Sequence, residues 1–265
     1  MNKEQVMRRD EEYQKYDEAG RIWGVISKER IKEIEFPRIS KEIIDEYLKI
    51  DDLTSTISDV LDSLGINGVV SASHLPPIIE EKKIAGTAIT LRSVPIKKTV
   101  TKGFDDNDFI RMASRDTNYL AEPGDVLVAD NGGDLDVSNM GGQSIVSQAT
   151  KKMAGAIVNG AVRDIPTILE ADYPVWSKGK TPITGKNRIE AIEVNGPVTL
   201  HDIVIYPGDL IVADDSGVCA IPADKVEYVL EEIKKVHEEE DVMREMIKNN
   251  DPISKLKPLF RKRYE

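Results

Sequence analysis

The stretch from residue 131 to residue 168 limits the possible folds of this 265-residue chain more than any other segment. Apolar side chains recur at helical spacing from Gln143 to Met153, which predicts a helix there. Gly155 is predicted to end that helix before the apolar segment Ala156 to Asn159, which has the character of a strand. Arg163-Asp164 then opens a second helix. Aromatic residues make up only 5% of the chain, so the core must be built mainly from Val, Ile, Leu and Ala, and this composition favours an α/β fold.

Short apolar runs bounded by Gly and Pro recur elsewhere, a pattern typical of strands. Further strands are predicted at Gly68 to Ser71, Ile84 to Val94, Asp125 to Asp130, Val198 to Leu200 and Leu210 to Ala213. Two of these predicted strands lie within nearly identical segments, EPGDVLVAD at residues 122–130 and YPGDLIVAD at residues 206–214. Pro presets φ and Gly tolerates a left-handed position, so the repeat predicts a recurring tight turn that leads into a strand.

Both ends of the chain differ from this β-rich middle. The charge-dense N-terminal segment predicts helices joined by a turn at Phe36-Pro37, and Thr54-Ser55-Thr56 is predicted to cap the next helix, which ends at Gly65. An acidic amphipathic helix is predicted from Ala223 to about Ile247. The chain is thus predicted to consist of a helical arm over residues 1–50, a core domain over residues 51–225, and a C-terminal acidic helix with a basic tail over residues 226–265.

Composition narrows the classes of partner and the cellular compartment. The formal charge of −11 opposes attraction to nucleic acid phosphates or to anionic lipid, so neither partner is expected. The single cysteine, Cys219, lies in an apolar segment and is interpreted as a small buried hydrophobic residue, which excludes an internal disulfide. No apolar run approaches the roughly 18 residues that span a bilayer. We therefore expect a cytoplasmic protein.

Gly141-Gly142-Gln143-Ser144 begins the predicted helix and is a candidate binding site for a carboxylate. Glycines allow close approach of a ligand to the backbone, and the N-terminus of a helix favours an anion. A glycine pair before a helix is also typical of a simple tight turn, so both interpretations stay open.

Arg163 and Asp164 are the candidate catalytic pair. A guanidinium beside a carboxylate supplies groups that can stabilise an enolate oxygen and hold a metal ion. Asp164 also precedes Ile165-Pro166, where a helix N-cap is expected, so a purely structural role is an equal alternative. The chain's only histidines, His74, His201 and His237, lack the spacing of a zinc site, whereas its carboxylates could hold Mg²⁺ or Mn²⁺ through oxygen ligands.

Several segments, in order, resemble the RraA-like family, which includes 4-hydroxy-4-methyl-2-oxoglutarate aldolases and a ribonuclease-regulator branch. The matching segments are TISDVLDSLGINGVV (56–70), IAGTAITLRSVP (84–95), PGDVLVAD (123–130), GGQSIVSQATKKMAGAIVNGAVRD (141–164), YPVWSKGKTP (173–182) and YPGDLIVADDSGVCAIP (206–222). The resemblance implies a compact β-rich α/β domain of the swivelling β/β/α type. It also implies homotrimers or homohexamers with active sites at subunit boundaries.

For the site, the resemblance to the aldolase branch implies a short 2-oxo acid substrate and a Mg²⁺ or Mn²⁺ cofactor. It implies that Asp164 binds the metal, that Arg163 stabilises the enolate, and that backbone N–H groups from Gly142 to Ile145 hold the carboxylate. The aldolase pattern has an acidic residue where this chain has Gln143, and Asp-Gly where it has Asn159-Gly160.

The leading hypothesis is therefore a metal-dependent lyase, an aldolase or a decarboxylase. Retro-aldol cleavage needs a base to take the proton of the substrate hydroxyl, and a neutral amide at Gln143 cannot accept it. Decarboxylation has no such requirement, so Gln143 favours a decarboxylase. The alternative is a non-catalytic regulator that binds a protein partner through an acidic surface.

Overall fold

The computed structural model describes residues 3–107 and 111–261. The helices are α1 (Lys3–Glu18), α2 (Lys41–Tyr47), α3 (Leu53–Ser63), α4 (Val100–Asp105), α5 (Ser114–Leu120), α6 (Gly142–Thr150), α7 (Ile165–Glu170), α8 (Val226–Lys248) and α9 (Ile253–Arg261). The strands are β1 (Val69–Ser71), β2 (Ile84–Pro95), β3 (Val126–Asp130), β4 (Ser138–Met140), β5 (Gly155–Val162), β6 (Val175–Lys180), β7 (Ile189–Val194), β8 (Val198–Leu200), β9 (Ile203–Ile205), β10 (Leu210–Asp214) and β11 (Gly217–Ile221).

One mixed sheet organises the domain, in the order β1-β11-β10-β2-β3-β5-β4, with β6 paired to β5 and β7 paired to β2. Strands β2 to β6 of this sheet run parallel to one another, whereas β1, β11, β10 and β2 form an antiparallel part. A separate hairpin joins β8 and β9. The prediction of a β-rich α/β fold with N-terminal helices and a C-terminal helix is confirmed.

Strand β2 links the two parts of the sheet. Its first half pairs with β10, where Thr87 faces Leu210, and its middle pairs with β3, where Ala88 faces Val126. From Leu91 to Pro95 it pairs with β7, with a shift of register between Arg92 and Ser93. Every residue from 84 to 91 is buried, which agrees with the mainly apolar sequence that predicts the strand, although Thr87 and Thr90 are polar.

The two similar PGD sequences form matching turns on either side of β2. Gly124 and Gly208 have φ angles of 89° and 94°, a region that favours glycine. The buried side chain of Asp125 accepts a 2.8 Å hydrogen bond from the Glu122 N–H, and Asp209 accepts the equivalent 2.8 Å bond from the Tyr206 N–H. The prediction of a recurring tight turn that leads into a strand is confirmed.

Helices cover one face of the sheet, and the β8–β9 hairpin packs against the other. Apolar residues of α2, α3 and α8 pack against β10 and β11, including the fully buried Leu53, Ile57 and Val229. The N-terminal segment packs farther along the same face with α5, α6 and α7, and its Ile31 and Ile34 are almost completely buried. Within the two described ranges, no helix combines the length and the apolar character that a membrane span requires.

Several predicted boundaries are wrong, each for a local reason. Helix α6 ends at Thr150 because Lys152 adopts a left-handed conformation, and Gly155 begins β5 instead of ending the helix. Helix α3 begins at Leu53, and Thr54 does not cap it, because its hydroxyl donates a 2.6 Å hydrogen bond to Asp214 Oδ1. The arm between α1 and α2 is mainly non-helical, with one short 3₁₀ turn. Strands β4, β6, β7, β9 and β11 lie outside the predicted set.

The cysteine prediction is confirmed. Cys219 lies in β11, is completely buried and forms no disulfide. Burial raises the pKa of its thiol well above the usual range, so the thiolate is strongly disfavoured.

Candidate functional site

The candidate site lies where two neighbouring parallel strands end. Strand β4 leads into α6 and strand β5 leads into α7, and the Arg163 N–H still donates a 3.1 Å hydrogen bond to Met140 O. Because the two strands are parallel and paired up to their last residues, Gly141-Gly142 and Arg163-Asp164 leave the sheet side by side. Ligands of α/β proteins typically bind at this carboxyl edge.

Asp164 connects the two helices. It occupies the predicted N-cap position of α7, in a left-handed conformation with φ 59°, and its backbone oxygen accepts the Thr167 N–H. Its side chain does not cap α7 but crosses to α6, where Oδ2 accepts a 2.8 Å hydrogen bond from the Gly142 N–H. Arg163 Nε lies 3.5 Å from the same oxygen. The carboxylate is therefore held from two sides while 43% of the side chain stays exposed.

Gly141 permits this close approach. A Cβ atom on Gly141 would lie 2.8 Å from Asp164 Oδ2 and 2.9 Å from Arg163 Nε, closer than real side chains come. The backbone at Gly141 is extended, with φ −145°, so the glycine is required by the space and not by the dihedral angle. At Gly142 the nearest atoms would belong to Thr167 at 3.2 Å, a less severe contact.

The structure changes the expected role of the backbone N–H groups at the start of α6. The Gly142 N–H donates to Asp164, and those of Ser144 and Ile145 donate to Gly141 O at 3.0 and 3.2 Å. Ile145 is completely buried. Among the described residues, the Gln143 N–H is the one of these four donors without a protein acceptor. The start of α6 therefore offers a ligand one free backbone N–H group instead of four.

A cavity of about 240 Å³ opens at this point. It is lined by Met112, Ser114, Arg115, Ser138, Asn139, Gly141, Gly142, Gln143, Ser144, Arg163, Asp164, Thr184 and Lys186. The charged lining residues are three cations, Arg115, Arg163 and Lys186, and one carboxylate, Asp164. This local positive excess, in a protein with a formal charge of −11, makes the cavity suited to a small anion.

Arg115 is the main lining residue that the sequence analysis missed. Its Nη2 donates a 2.6 Å hydrogen bond to Gln143 Oε1, and its guanidinium lies 5.1 Å from the ring centre of Trp23. No motif surrounds Arg115, and it comes from α5, a short helix outside the segments that carry the Arg-Asp pair. The residues around Arg115 in the sequence therefore gave no reason to place it in the site.

A buried polar network supports the first turn of α6. Ser144 Oγ accepts hydrogen bonds from Asn118 Nδ2 at 3.3 Å and from Gln148 Nε2 at 2.9 Å. All three side chains are buried, so these bonds fix α6 relative to α5. By contrast, Asn159 does not line the cavity, because its amide donates to Asp130 Oδ1 at 2.9 Å and to Thr199 O at 3.0 Å.

The donor set fits a hard, partly hydrated divalent cation better than zinc. The described residues contain no group of three His, Cys, Asp or Glu side chains placed to hold a metal. Mg²⁺ commonly binds through one or two carboxylates and completes its shell with water and substrate oxygens. Asp164 meets that requirement, since only its Oδ2 is engaged by protein donors across the described ranges. His74 and His201 stack at 4.0 Å and stand outside the cavity lining.

Comparison with known proteins matches this chain to a family. The RraA-like family, described as Aldolase/RraA, matches residues 54–220. A protein of Halalkalibacterium halodurans, provisionally named a 4-hydroxy-4-methyl-2-oxoglutarate aldolase, is 32% identical over 197 residues, which is 74% of this chain and 85% of that protein. Protein DlpA of Legionella pneumophila is 32% identical over 67% of this chain, but the chain spans only 27% of its length.

Solved structures agree with the sequence comparison. An uncharacterized protein from Pseudomonas syringae pv. tomato superposes with a TM-score of 0.70 at 26% identity, covering 84% of this chain and 96% of that one. RraAS2 of Streptomyces coelicolor, described as an unusual member of the RNase ES inhibitor RraA protein family, has the same fold, with a TM-score of 0.65 at 23% identity over 79% of this chain and 99% of its own. The chain therefore belongs to the RraA-like family.

Proposed function

We propose that this protein is a divalent-metal-dependent carbon–carbon lyase that acts on short 2-oxo acids. The observation that carries the proposal is the cavity in which Arg163 and Asp164 meet the first turn of α6 among further cations. A small anion with a reactive carbonyl matches this lining in size and charge. The aldolase names of several relatives support the same class of reaction.

Each residue has a distinct role in the proposal. Asp164 would hold Mg²⁺ or Mn²⁺, which when bound would supply positive charge that withdraws electrons from the reacting carbonyl. Arg163 stabilises the negative charge that develops on the enolate oxygen, because its planar guanidinium offers several donors with a fixed orientation. The Gln143 N–H binds the carboxylate next to the reacting carbonyl.

Decarboxylation is the favoured reaction. In a 2-oxo diacid such as oxaloacetate, the bond between C3 and the departing carboxylate breaks, and its electron pair forms the enolate of pyruvate as CO₂ leaves. A proton from solvent at C3 then completes pyruvate. Aldol cleavage also needs a base for the substrate hydroxyl, and the neutral Gln143 amide, whose oxygen already accepts from Arg115, cannot serve as one.

The test is turnover by protein freed of metal and then reconstituted. We expect oxaloacetate decarboxylation with Mg²⁺ or Mn²⁺, loss of that activity in excess EDTA, and slower cleavage of 4-hydroxy-2-oxo diacids. Full activity in excess EDTA would overturn the metal requirement. Absence of turnover on both substrate classes with either metal would favour the alternative, a non-catalytic regulator that binds a protein partner.

We also propose that the protein assembles as a trimer or hexamer, so that a neighbouring subunit completes the site. The proposal comes from the family resemblance and from the open cavity, whose Arg115, Gln143 and Lys186 are solvent-accessible in the single chain. Light scattering should give a mass of three or six chains. A monodisperse monomer with full activity would contradict this assembly.

A further inference from the structure

Two positive groups lie on different sides of the first turn of α6. Arg163, with Asp164, lies against Gly141 and Gly142, whereas Arg115 contacts the side chain of the next residue, Gln143. Both guanidinium groups line the same cavity. A single carboxylate with its neighbouring carbonyl needs only one of them, so the second cation is available to a second negative group on the same ligand.

Arg115 also contacts the N-terminal segment, which helps to hold it in place. The guanidinium lies 5.1 Å from the centre of the Trp23 ring, and that ring packs at 5.4 Å against Tyr119 on the next turn of α5. An aromatic face attracts a guanidinium and limits its rotation without using its hydrogen-bond donors. Within the described part of the chain, Gln143 is the only hydrogen-bond acceptor for Arg115, so its other donors remain available to a ligand.

The same N-terminal segment fixes the backbone of α5. The N–H groups of Gly24 and Val25 each donate a 3.1 Å hydrogen bond to Asp116 Oδ1, and Asp116 is buried. Burial raises the pKa of this carboxyl, although the backbone donors oppose that shift. Arg21 donates to three carbonyl oxygens at the end of the helix, at 3.1 to 3.2 Å, and so satisfies groups that a helix C-terminus leaves unpaired.

We propose that Arg115 is a specificity-determining residue that binds the second carboxylate of a dianionic 2-oxo acid, and that Trp23 is the positioning residue that holds it. This inference rests on the proposed function for the identity of the reacting end of the ligand. Trp23 lies in the N-terminal arm, outside residues 54–220 that match the family, so this chain's preference would depend partly on a segment beyond the family match.

The experiment compares two unreactive ligands of equal length. 2-Oxoglutarate and 2-oxopentanoate differ only in that a methyl group replaces the terminal carboxylate. Binding to the Mg²⁺-loaded full chain is measured by calorimetry. We expect the wild type to prefer 2-oxoglutarate by roughly 10- to 100-fold, on the order of one charge-assisted pair. Arg115→Gln should reduce that preference to less than about 3-fold with little change in 2-oxopentanoate affinity, since one such pair is lost.

Matched variants separate this role from a general effect on folding or charge. Arg244→Gln removes one positive charge from α8, where Arg244 pairs with Asp52 and Asp241, and should leave the preference unchanged. Trp23→Leu should lower the preference several-fold, whereas Trp23→Phe, which keeps an aromatic face, should retain most of it. If Arg115→Gln does not fold, Arg115→Lys replaces it and should give an intermediate preference.

Three outcomes would each contradict a different part of the proposal. If the wild type binds neither ligand, the proposed function is wrong at this site. If it binds both and Arg115→Gln or Arg115→Lys keeps the wild-type ratio, the proposed function stands and the role of Arg115 is overturned. Equal loss of ratio in Trp23→Leu and Trp23→Phe would overturn the positioning role of Trp23.

Discussion

The backbone N–H of Gly142 donates a 2.8 Å hydrogen bond to Oδ2 of Asp164. The bond ties the first residue of α6 to the residue before α7, so the two loops that leave β4 and β5 are held together. The aspartate that is proposed to hold a metal therefore also fixes the glycine turn beside it. A substitution that disturbs either loop is expected to disturb both.

Gly141→Ala should abolish activity while the protein stays folded. The new methyl group would lie 2.8 to 2.9 Å from Asp164 Oδ2 and Arg163 Nε, so both side chains must move, and the extended backbone itself accepts alanine. We expect kcat/KM to fall by at least about 100-fold, since small misplacements of reacting groups have effects of this order. Gly142→Ala is the control, with its closest contact at 3.2 Å to Thr167, and should lose much less. Equal losses in the two variants would argue against this explanation.

Arg163→Lys should lower turnover far more than stability. An ammonium group keeps the charge but cannot reproduce the directed donors of a guanidinium at a developing oxyanion. We expect a loss of about 100-fold or more in kcat, and a change in the free energy of unfolding below about 1 kcal/mol, because Arg163 and Asp164 are both partly exposed. A lysine variant that melts much earlier and keeps wild-type turnover in its folded fraction would make Arg163 a structural residue.

Gln143→Glu should shift the ratio of activities toward aldol cleavage. A carboxylate at this position can accept the proton of the substrate hydroxyl, and one general base contributes on the order of 10- to 100-fold. Arg115, whose Nη2 lies 2.6 Å from the present amide oxygen, would favour the ionised form of the new carboxyl and so lower its pKa. The gain should therefore persist in mildly acidic solution. Rates on oxaloacetate and on a 4-hydroxy-2-oxo diacid at several pH values test this, and an unchanged ratio would refute it.

The aspartates of the two PGD turns should differ in their tolerance of amide substitution. Burial raises the pKa of both carboxyls, but Asp125 pairs with Arg38 at 3.2 Å, whereas the donors to Asp209 among the described residues are backbone N–H groups. Asp125→Asn leaves the half-buried Arg38 without its carboxylate and should cost about 1 to 3 kcal/mol more than Asp209→Asn. Urea unfolding of the two variants at neutral pH gives the comparison, and equal costs would contradict it.

The pH dependence of Asp209→Asn has a definite sign. Because the folded pKa of Asp209 lies above its ordinary value of 3.8, the native state binds more protons than the unfolded state between these two values. The contribution of Asp209 to stability therefore falls as pH rises through that window, and asparagine lacks this dependence. The melting temperature of the variant relative to the wild type should rise as the pH increases above about 4. A difference that falls over this range would contradict the raised pKa.

The sequence predicted those parts of the fold that depend on local pattern. The apolar run in β2 and the PGD turns are recognisable because burial and turn geometry each restrict residue type directly. Strands β6 and β7 were missed because their polar positions, such as Lys178 and Glu190, obscure the apolar pattern. The role of the Asp164 side chain could not be inferred either, since an N-cap residue is expected to bind its own helix and this one binds another.

Among the candidate site residues, the sequence analysis identified the pair that follows β5 and the loop that opens α6, because both belong to a motif. It could not predict Arg115, whose place in the cavity depends on how α5 packs against α6 through Asn118 and Ser144. Nor could it predict that Trp23, far away in the chain, contacts that arginine. Both the position of Arg115 in the cavity and its contact with Trp23 depend on tertiary packing, which residue spacing does not reveal.

The central position of β2 also has a consequence for biosynthesis. This strand leaves the ribosome well before β7 and β10, yet both are needed to complete its pairing. Closing such long loops is slow, and an apolar strand with open edges can pair with other chains in the meantime. We expect the nascent chain to need protection from aggregation until the segment around residue 214 has been synthesised.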